Sequence, residues 1–436
     1  MLQADHALLE RPARAPAAAL QAVRPIAPGD IALSLSEDIG SLEPEWRRFE
    51  AAADCTVFQS FDWLSLWHHH IGAPAGIRPA IVLGRDAAGE LLFLLPLAVE
   101  PGAIRRLTFL GDALCDYNAP LIAPGFAARL GPAALLSLWP AICALVQSQP
   151  HLRHDVIALT KMPATIGDQA NPLLHLDVAL NPSGAHLTRL ADSWDAFYAA
   201  KRSSATRRRD RSKRKRLGEI GEVRFVNPTE RDELRRTLET LIEQKTKSFA
   251  RMGVQNLFER PGHREFFLDL ATNPRTWSLV HVSRLDVGST WAAINLGLTF
   301  GDTYYHVLAS YDDGEASRFG PGAAHLRDLL QRAIEHGFQY FDFTIGDERY
   351  KFEWSDTKVN LFDHVGAATL RGWPMVFAAR TFRLLKRAIK QNPVLWRAFS
   401  AVRAALGSPP KDNGGGDDDA SPPSTGHAES PSIAPR

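Results

Sequence analysis

Apolar residues recur along this chain in two rhythms, every second position in short runs and every third or fourth between them. From residue 277 onward, LVHVSRL and WAAINLGLTF are β-rich runs joined by Asp286-Val287-Gly288-Ser289, which reads as a hairpin. Gly301-Asp302 turns the chain into a third strand, TYYHVLASY. Leu326, Leu329, Leu330, Ala333 and Ile334 then repeat at helical spacing and predict an amphipathic helix over 323–336, ended by Gly337. The strand YFDFTIG follows, and LFDHVGAATL closes the half with a further strand. Upstream, EVRFVN is a strand, and ERDELRRTLETLIEQKTKSF and PGHREFFLDLAT are helices.

The first half repeats this plan more faintly. The strand IALSLS precedes helices near 41–52 and 60–69, and the strands AIVLGRD and ELLFLLPLAV flank Ala87-Ala88-Gly89. After RRLTFL, Ala123-Pro124-Gly125 leads into the helical run ARLGPAALLSLWPAICALV and the strand HDVIAL. Arg85 to Gly125 spans 40 residues and Arg284 to Gly322 spans 38. The shared order predicts a tandem repeat. The fold class is therefore α/β (α+β), with two lobes, each a mixed, mainly antiparallel sheet flanked by helices.

Composition narrows the function classes. A chain of 436 residues, 45% hydrophobic and 23% charged, has the make-up of an ordinary globular protein. Three scattered cysteines are too few for a disulfide framework or a metal cluster and read as reduced, as in the cytoplasm. His68, His69 and His70 are consecutive, so on a helix they point three ways and cannot share one metal. No apolar run reaches the roughly 18 residues needed to span a bilayer. Residues 1–29, with acidic residues and prolines, read as a flexible leader rather than a signal peptide, and 407–436 as a disordered tail.

The net charge of +1 hides two basic stretches. Residues 201–216 carry ten basic side chains and one acidic one. They suit RNA, an anionic polymer or a membrane, or serve as an inter-lobe helix with a solvated face. No aromatics interleave them, which argues against base stacking. Residues 371–406 carry eight basic side chains and no acidic one. There Ala378, Phe382, Leu385 and Ile389 form a stripe for an anionic membrane surface or for the second lobe.

Chemistry concentrates at RFGPGAAHL. Gly320, Gly322, Ala323 and Ala324 bare the mouth of the predicted helix, where free N–H groups and the macrodipole favour an anion. With Phe61-Asp62-Trp63-Leu64, Phe109-Leu110-Gly111-Asp112, Pro321-Gly322, Phe341-Asp342-Phe343, Gly346, Tyr350-Lys351 and Trp354, the chain resembles the CelD/BcsL group of acetyltransferases. That group belongs to the GNAT superfamily and is linked to cellulose and exopolysaccharide production. A doubled GNAT fold is also that of FemAB-like aminoacyl transferases.

Charge and periodicity divide the chain into an N-terminal lobe over 30–190, a basic inter-lobe helix over 191–221, a second lobe over 222–370 and basic amphipathic helices over 371–406. The resemblance implies that both lobes are GNAT-like and that the second is the acyltransferase lobe. It implies acetyl-CoA as co-substrate and no metal, with the CoA pyrophosphate on the N–H groups of Gly320, Gly322, Ala323 and Ala324 and with Arg318 adding charge. Ser317 stands where the superfamily turn has Gln or Arg. Acyl transfer needs a neutral amine, a polarised carbonyl and a protonated thiolate.

Strand alternation puts Tyr304, His306, Leu308 and Ser310 on one face. His306 is a candidate proton acceptor, or a hydrogen-bonded sheet histidine. Tyr311, at the strand end, is a candidate acid, or a half-buried aromatic. Asp342, a carboxylate between phenylalanines, is a candidate base or acceptor-orienting group facing one cleft with Tyr311. Tyr350 and Lys351 are candidate substrate contacts, with Lys351 at the rim. The acceptor stays open, as does an aminoacyl-tRNA donor held by 201–216, or a non-catalytic scaffold at a membrane. The expected location is the cytoplasm, peripheral at the inner membrane face.

Overall fold

The computed structural model describes residues 26–378 and 381, and the element order follows the two predicted halves. Most of the expected leader, the basic segment beyond 381 and the tail lie outside the described residues. In the first half, strand β1 (Ala32–Ser36) is followed by helices α1 (Glu43–Glu50) and α2 (Phe61–Trp67). Next come β2 (Arg78–Arg85), β3 (Leu91–Glu100), β4 (Arg106–Phe109), β5 (Leu121–Ile122), α3 (Phe126–Leu130), α4 (Ala134–Ser148) and β6 (Val156–Pro163). A small ribbon of β7 (Thr165–Ile166) and β8 (Gln169–Ala170) leads to β9 (Val178–Leu180).

The second half opens with β10 (Ala185–Arg189), α5 (Trp194–Lys201), α6 (Ser204–Ile220), β11 (Val223–Val226), α7 (Arg231–Met252) and α8 (His263–Thr272). The predicted meander follows as β12 (Val280–Val287), β13 (Thr290–Phe300) and β14 (Thr303–Tyr311). Then come α9 (Pro321–Glu335), β15 (Tyr340–Ile345), α10 (Arg349–Trp354), β16 (Thr357–Val359) and β17 (Leu361–Ala367).

The strands form two mixed sheets. One runs β1-β2-β3-β4-β6-β17-β9, with β5 beside β3, and the other β11-β12-β13-β14-β15-β10-β16. The last strand, expected to close the second half, instead enters the first sheet between β6 and β9. Its place beside β15 is taken by β10. The second sheet is thus built from 185–359, inserted ahead of the first sheet's final strand. Strand patterning cannot show this, because alternation gives a strand's buried face and not its long-range partner.

Amphipathic helices pack both outer faces, α4 on the first sheet and α9 on the second. Between the lobes lies a shared core in which Trp63 meets Phe266 edge to face at 5.0 Å and Phe58 meets Tyr305 at 6.1 Å. Trp63 is fully buried there. Trp63→Ala is therefore expected to cost about 3–5 kcal/mol, read as a lowered midpoint in denaturant unfolding.

Both sheets open at the strand that follows their crossover helix. Strands β14 and β15 pair in parallel only from Thr303 with Tyr340 to Tyr305 with Asp342. Strands β4 and β6 pair only at Arg106–Leu107 with Val156–Ile157. Beyond each opening a non-glycine residue sits in the left-handed region, Thr344 (φ 60) and Lys161 (φ 56). Backbone of that kind costs on the order of 1–3 kcal/mol and concentrates at functional sites. Among the described residues no helix is long and apolar enough to cross a membrane.

Candidate functional site

Gly320, at φ 66, ends a 3₁₀ turn over Glu315–Phe319 and starts α9, with Pro321 at its first position. The four-donor cradle narrows to two. Gly320 N–H donates to Ser317 O (3.0 Å) and Ala324 N–H to Gly320 O (3.1 Å), so both are spent inside the turn. Gly322 and Ala323 have N–H groups without a partner among the described residues. Arg318 is exposed, pairs with Glu315 (3.1 Å) and lies over the Phe319 ring at 4.9 Å. Tyr311, 47% exposed, packs its ring against Gly322.

Asp342 lies elsewhere. Its register partner is Tyr305, six residues before Tyr311, so about 20 Å of strand separates the two. Asp342 meets Tyr117 of the first lobe, whereas Tyr311 packs against Gly322 of α9, so the two side chains have different neighbours. The carboxylate is 5% exposed and accepts from Tyr117 Oη at both oxygens (2.8 and 2.9 Å) and from Thr344 N–H (2.7 Å). Burial raises it to about 7, against the lowering effect of those two donors.

Asp116 raises the Asp342 carboxyl further, and beyond Asp116 and Lys351 lie other buried polar groups of both lobes. Asp116 and Asp112, from the loop after β4, are raised by burial, with the Lys161 charge opposing. Lys161 Nζ donates to Asp112 O (2.5 Å) and Cys115 O (2.7 Å). Burial also lowers Lys245 of α7, which the charge of Glu348 offsets.

His306 is buried, and desolvation lowers it to about 3. With the Asn295 amide turned so that its nitrogen faces the ring, His306 Nε2 accepts at 3.2 Å. A neutral, dry imidazole is a weak acceptor for an ammonium proton, so the candidate-base reading is replaced by that of a bonded sheet histidine. The alternation drawn through it also fails. A bulge follows His306: Gly297 pairs with His306 but Leu296 with Leu308. The extra residue turns Leu308 and Ser310 to the opposite face, where Ser310 Oγ donates to Gln244 Oε1 (2.7 Å).

Lys351 is buried, not at a rim. Helix α10 swings its side chain back beneath the strand end, where Nζ donates to Ile345 O (2.7 Å) and pairs with Glu348 (3.1 Å). Tyr350 is raised by burial and stands 6.2 Å from His306 and 6.3 Å from Phe343.

The basic stretch forms α6. Its inner face is locked by Asp210 against Arg327 (3.3 Å) and by Arg214 against Asp328 (2.9 Å), and Leu217 is buried with Ala316 and Ala324. Arg208, Arg209, Arg211 and Lys215 face solvent. A concavity of about 500 Å³ lies apart from all this, between His69, His70 and the 258–265 segment. His68 to Gly72 form a π-helical turn there, and among the described residues no group of His, Cys, Asp or Glu is placed to hold a metal ion.

Residues 204–352 match the family model of the acetyltransferase (GNAT) domain. No curated protein matches the chain in sequence. Among solved structures, FemX is 12% identical with a TM-score of 0.53, covering 76% of this chain and 96% of that one. A tandem GNAT protein from the clavulanic acid biosynthesis pathway is 11% identical (TM-score 0.43; 78% and 99% covered). A conserved protein of unknown function from Bacteroides thetaiotaomicron VPI-5482 is also 11% identical (TM-score 0.47; 76% and 99% covered). The likeness to FemX is one of fold. Residues 204–352 thus match an acetyltransferase (GNAT) domain, and the mixed α/β fold of two sheets flanked by helices is like that of FemX.

Proposed function

We propose that the protein transfers an acyl group, acetyl in the first instance, from CoA to a polar amine or hydroxyl acceptor. The acceptor class is sugar-derived or polysaccharide-related, in line with the CelD/BcsL resemblance. The observation that carries this reading is the pair of N–H groups at Gly322 and Ala323 without a partner among the described residues, at a helix mouth inside the acetyltransferase-matched segment. The CoA pyrophosphate sits there, with Arg318 swinging from Glu315 to add a charge-assisted bond. The pantetheine arm extends through the opening between β14 and β15, which brings the thioester from the turn toward Asp342. Asp342 takes the acceptor's proton, and Tyr311 stays with the donor. Tyr350 and Lys351 support the strand end that carries the acceptor.

Calorimetric titration of the purified chain with acetyl-CoA tests this, with tRNA titrated in parallel. Saturable one-to-one binding of acetyl-CoA is expected, and no heat with acetyl-CoA would sink the reading. The second reading, an aminoacyl-tRNA donor as in FemAB-like enzymes, is favoured by the outward cations of α6 beside the Glu315–Phe319 turn. Binding of tRNA without acetyl-CoA would put it first. We place the protein in the cytoplasm, with the basic segment 371–406 toward an anionic membrane face.

A further inference from the structure

Tyr117 was not among the residues the sequence singled out. It stands 225 positions from Asp342, in the loop between β4 and β5 of the other lobe. Its ring is buried edge-on against Phe58 at 5.8 Å within the core shared by the two lobes, and its hydroxyl reaches Asp342 of the second lobe. That hydroxyl meets both oxygens of Asp342, while the strained Thr344 backbone supplies the other donor. No hydrophobic packing requirement explains a tyrosine hydroxyl in this place, since phenylalanine would fill the same space.

We propose that Tyr117 is the positioning residue for proton transfer, its hydroxyl orienting the Asp342 carboxylate from the opposite lobe as acceptor of the substrate's proton. This rests on the acyl-transfer reading above. In the step, the amine nitrogen bonds to the thioester carbonyl carbon and the C–S bond breaks. The nitrogen's surplus proton passes to Asp342, which releases it to the departing thiolate. The other groups facing Asp342 are few. Asp116, beside Tyr117, opposes ionisation; Lys351 of α10 favours it; Tyr305 of β14 is neutral; and Leu187, its register partner in β10, carries no charge. A donor to the ionised form lowers the titration point, so removing it moves that point up.

Tyr117→Phe keeps the ring and its contact with Phe58. In the full chain labelled with ¹³C-aspartate, the Asp342 carboxyl resonance is identified by its loss in Asp342→Asn. Its midpoint is expected to rise by about 1–2 pH units in Tyr117→Phe, the worth of one hydrogen bond to a charged group. Thiol release from acetyl-CoA with glucosamine as probe acceptor should show its acid limb displaced by the same amount, with turnover recovering by about pH 9. An unmoved carboxyl midpoint overturns the proposal whatever the activity. A displaced midpoint with turnover lowered equally at every pH overturns the role in proton transfer. If Asp342→Asn keeps full thiol release, the assignment of Asp342 as base fails, while the Tyr117 coupling is still read from the resonance.

Discussion

Asp342→Asn lowers turnover by about 10²-fold and leaves acetyl-CoA affinity within about twofold. The amide keeps the size of the carboxylate and can still accept from Tyr117 and Thr344, so the strand end holds its shape. It cannot take a proton. Because burial pushes the native carboxyl up to about 7, wild-type activity should rise through that pH as the base form appears, and the Asn variant should lack that limb. Stability moves the other way. A carboxyl raised above its usual 3.8 favours the protonated fold, so it contributes stability at low pH that is lost as pH climbs toward 7. The Asn variant should therefore unfold no more easily than wild type above pH 7, while being far less active. A variant with native turnover, or one that simply melts early, contradicts the assignment.

Gly322→Asp should weaken acetyl-CoA binding by about 100-fold without loss of fold. A Cβ at 322 meets only the Tyr311 ring, at 3.5 Å, an ordinary contact. A carboxylate in the first turn of a helix is favoured by the macrodipole, so thermal stability should be unchanged or slightly higher. Yet that carboxylate satisfies the free N–H groups and repels the pyrophosphate, removing charge-assisted bonds and adding like charge. Gly322→Ala is the control and should bind nearly as wild type. Calorimetry on the two variants separates the outcomes, and equal affinity in both would remove the phosphate site from this turn.

What could be read from the sequence was local. The hairpin Asp286–Ser289, the helix behind Gly320 and the strand carrying Asp342 follow from turn residues and periodicity, and the structure has each of them. The bulge after His306 could not be read, because no glycine or proline marks it and the alternation continues through TYYHVLASY. Tyr117 was hidden for a different reason. It lies in an irregular stretch, CDYNAP, with no period to assign a face, and its partner is in the other lobe. The one available signal was the run of polar residues, Asp116 to Asn118, amid the apolar residues of that loop. The number of free donors at the turn is not legible either, because a sequence does not say which N–H groups a 3₁₀ turn consumes.

The strand order makes the second lobe a cassette. Its first and last strands pair with each other, Ala185 opposite Val359, so its entry and exit points are neighbours on one edge. A stretch cut at those points, 184–360, carries every strand of its own sheet and should be expressible as a unit. The shorter stretch that matches the family model, 204–352, omits both β10 and β16 and would leave β15 with a raw hydrogen-bonding edge, prone to association. The host lobe has no such freedom. Stopping the chain at 190 removes β17 from between β6 and β9, so ribosomal synthesis must pass through the whole cassette before the first sheet can close.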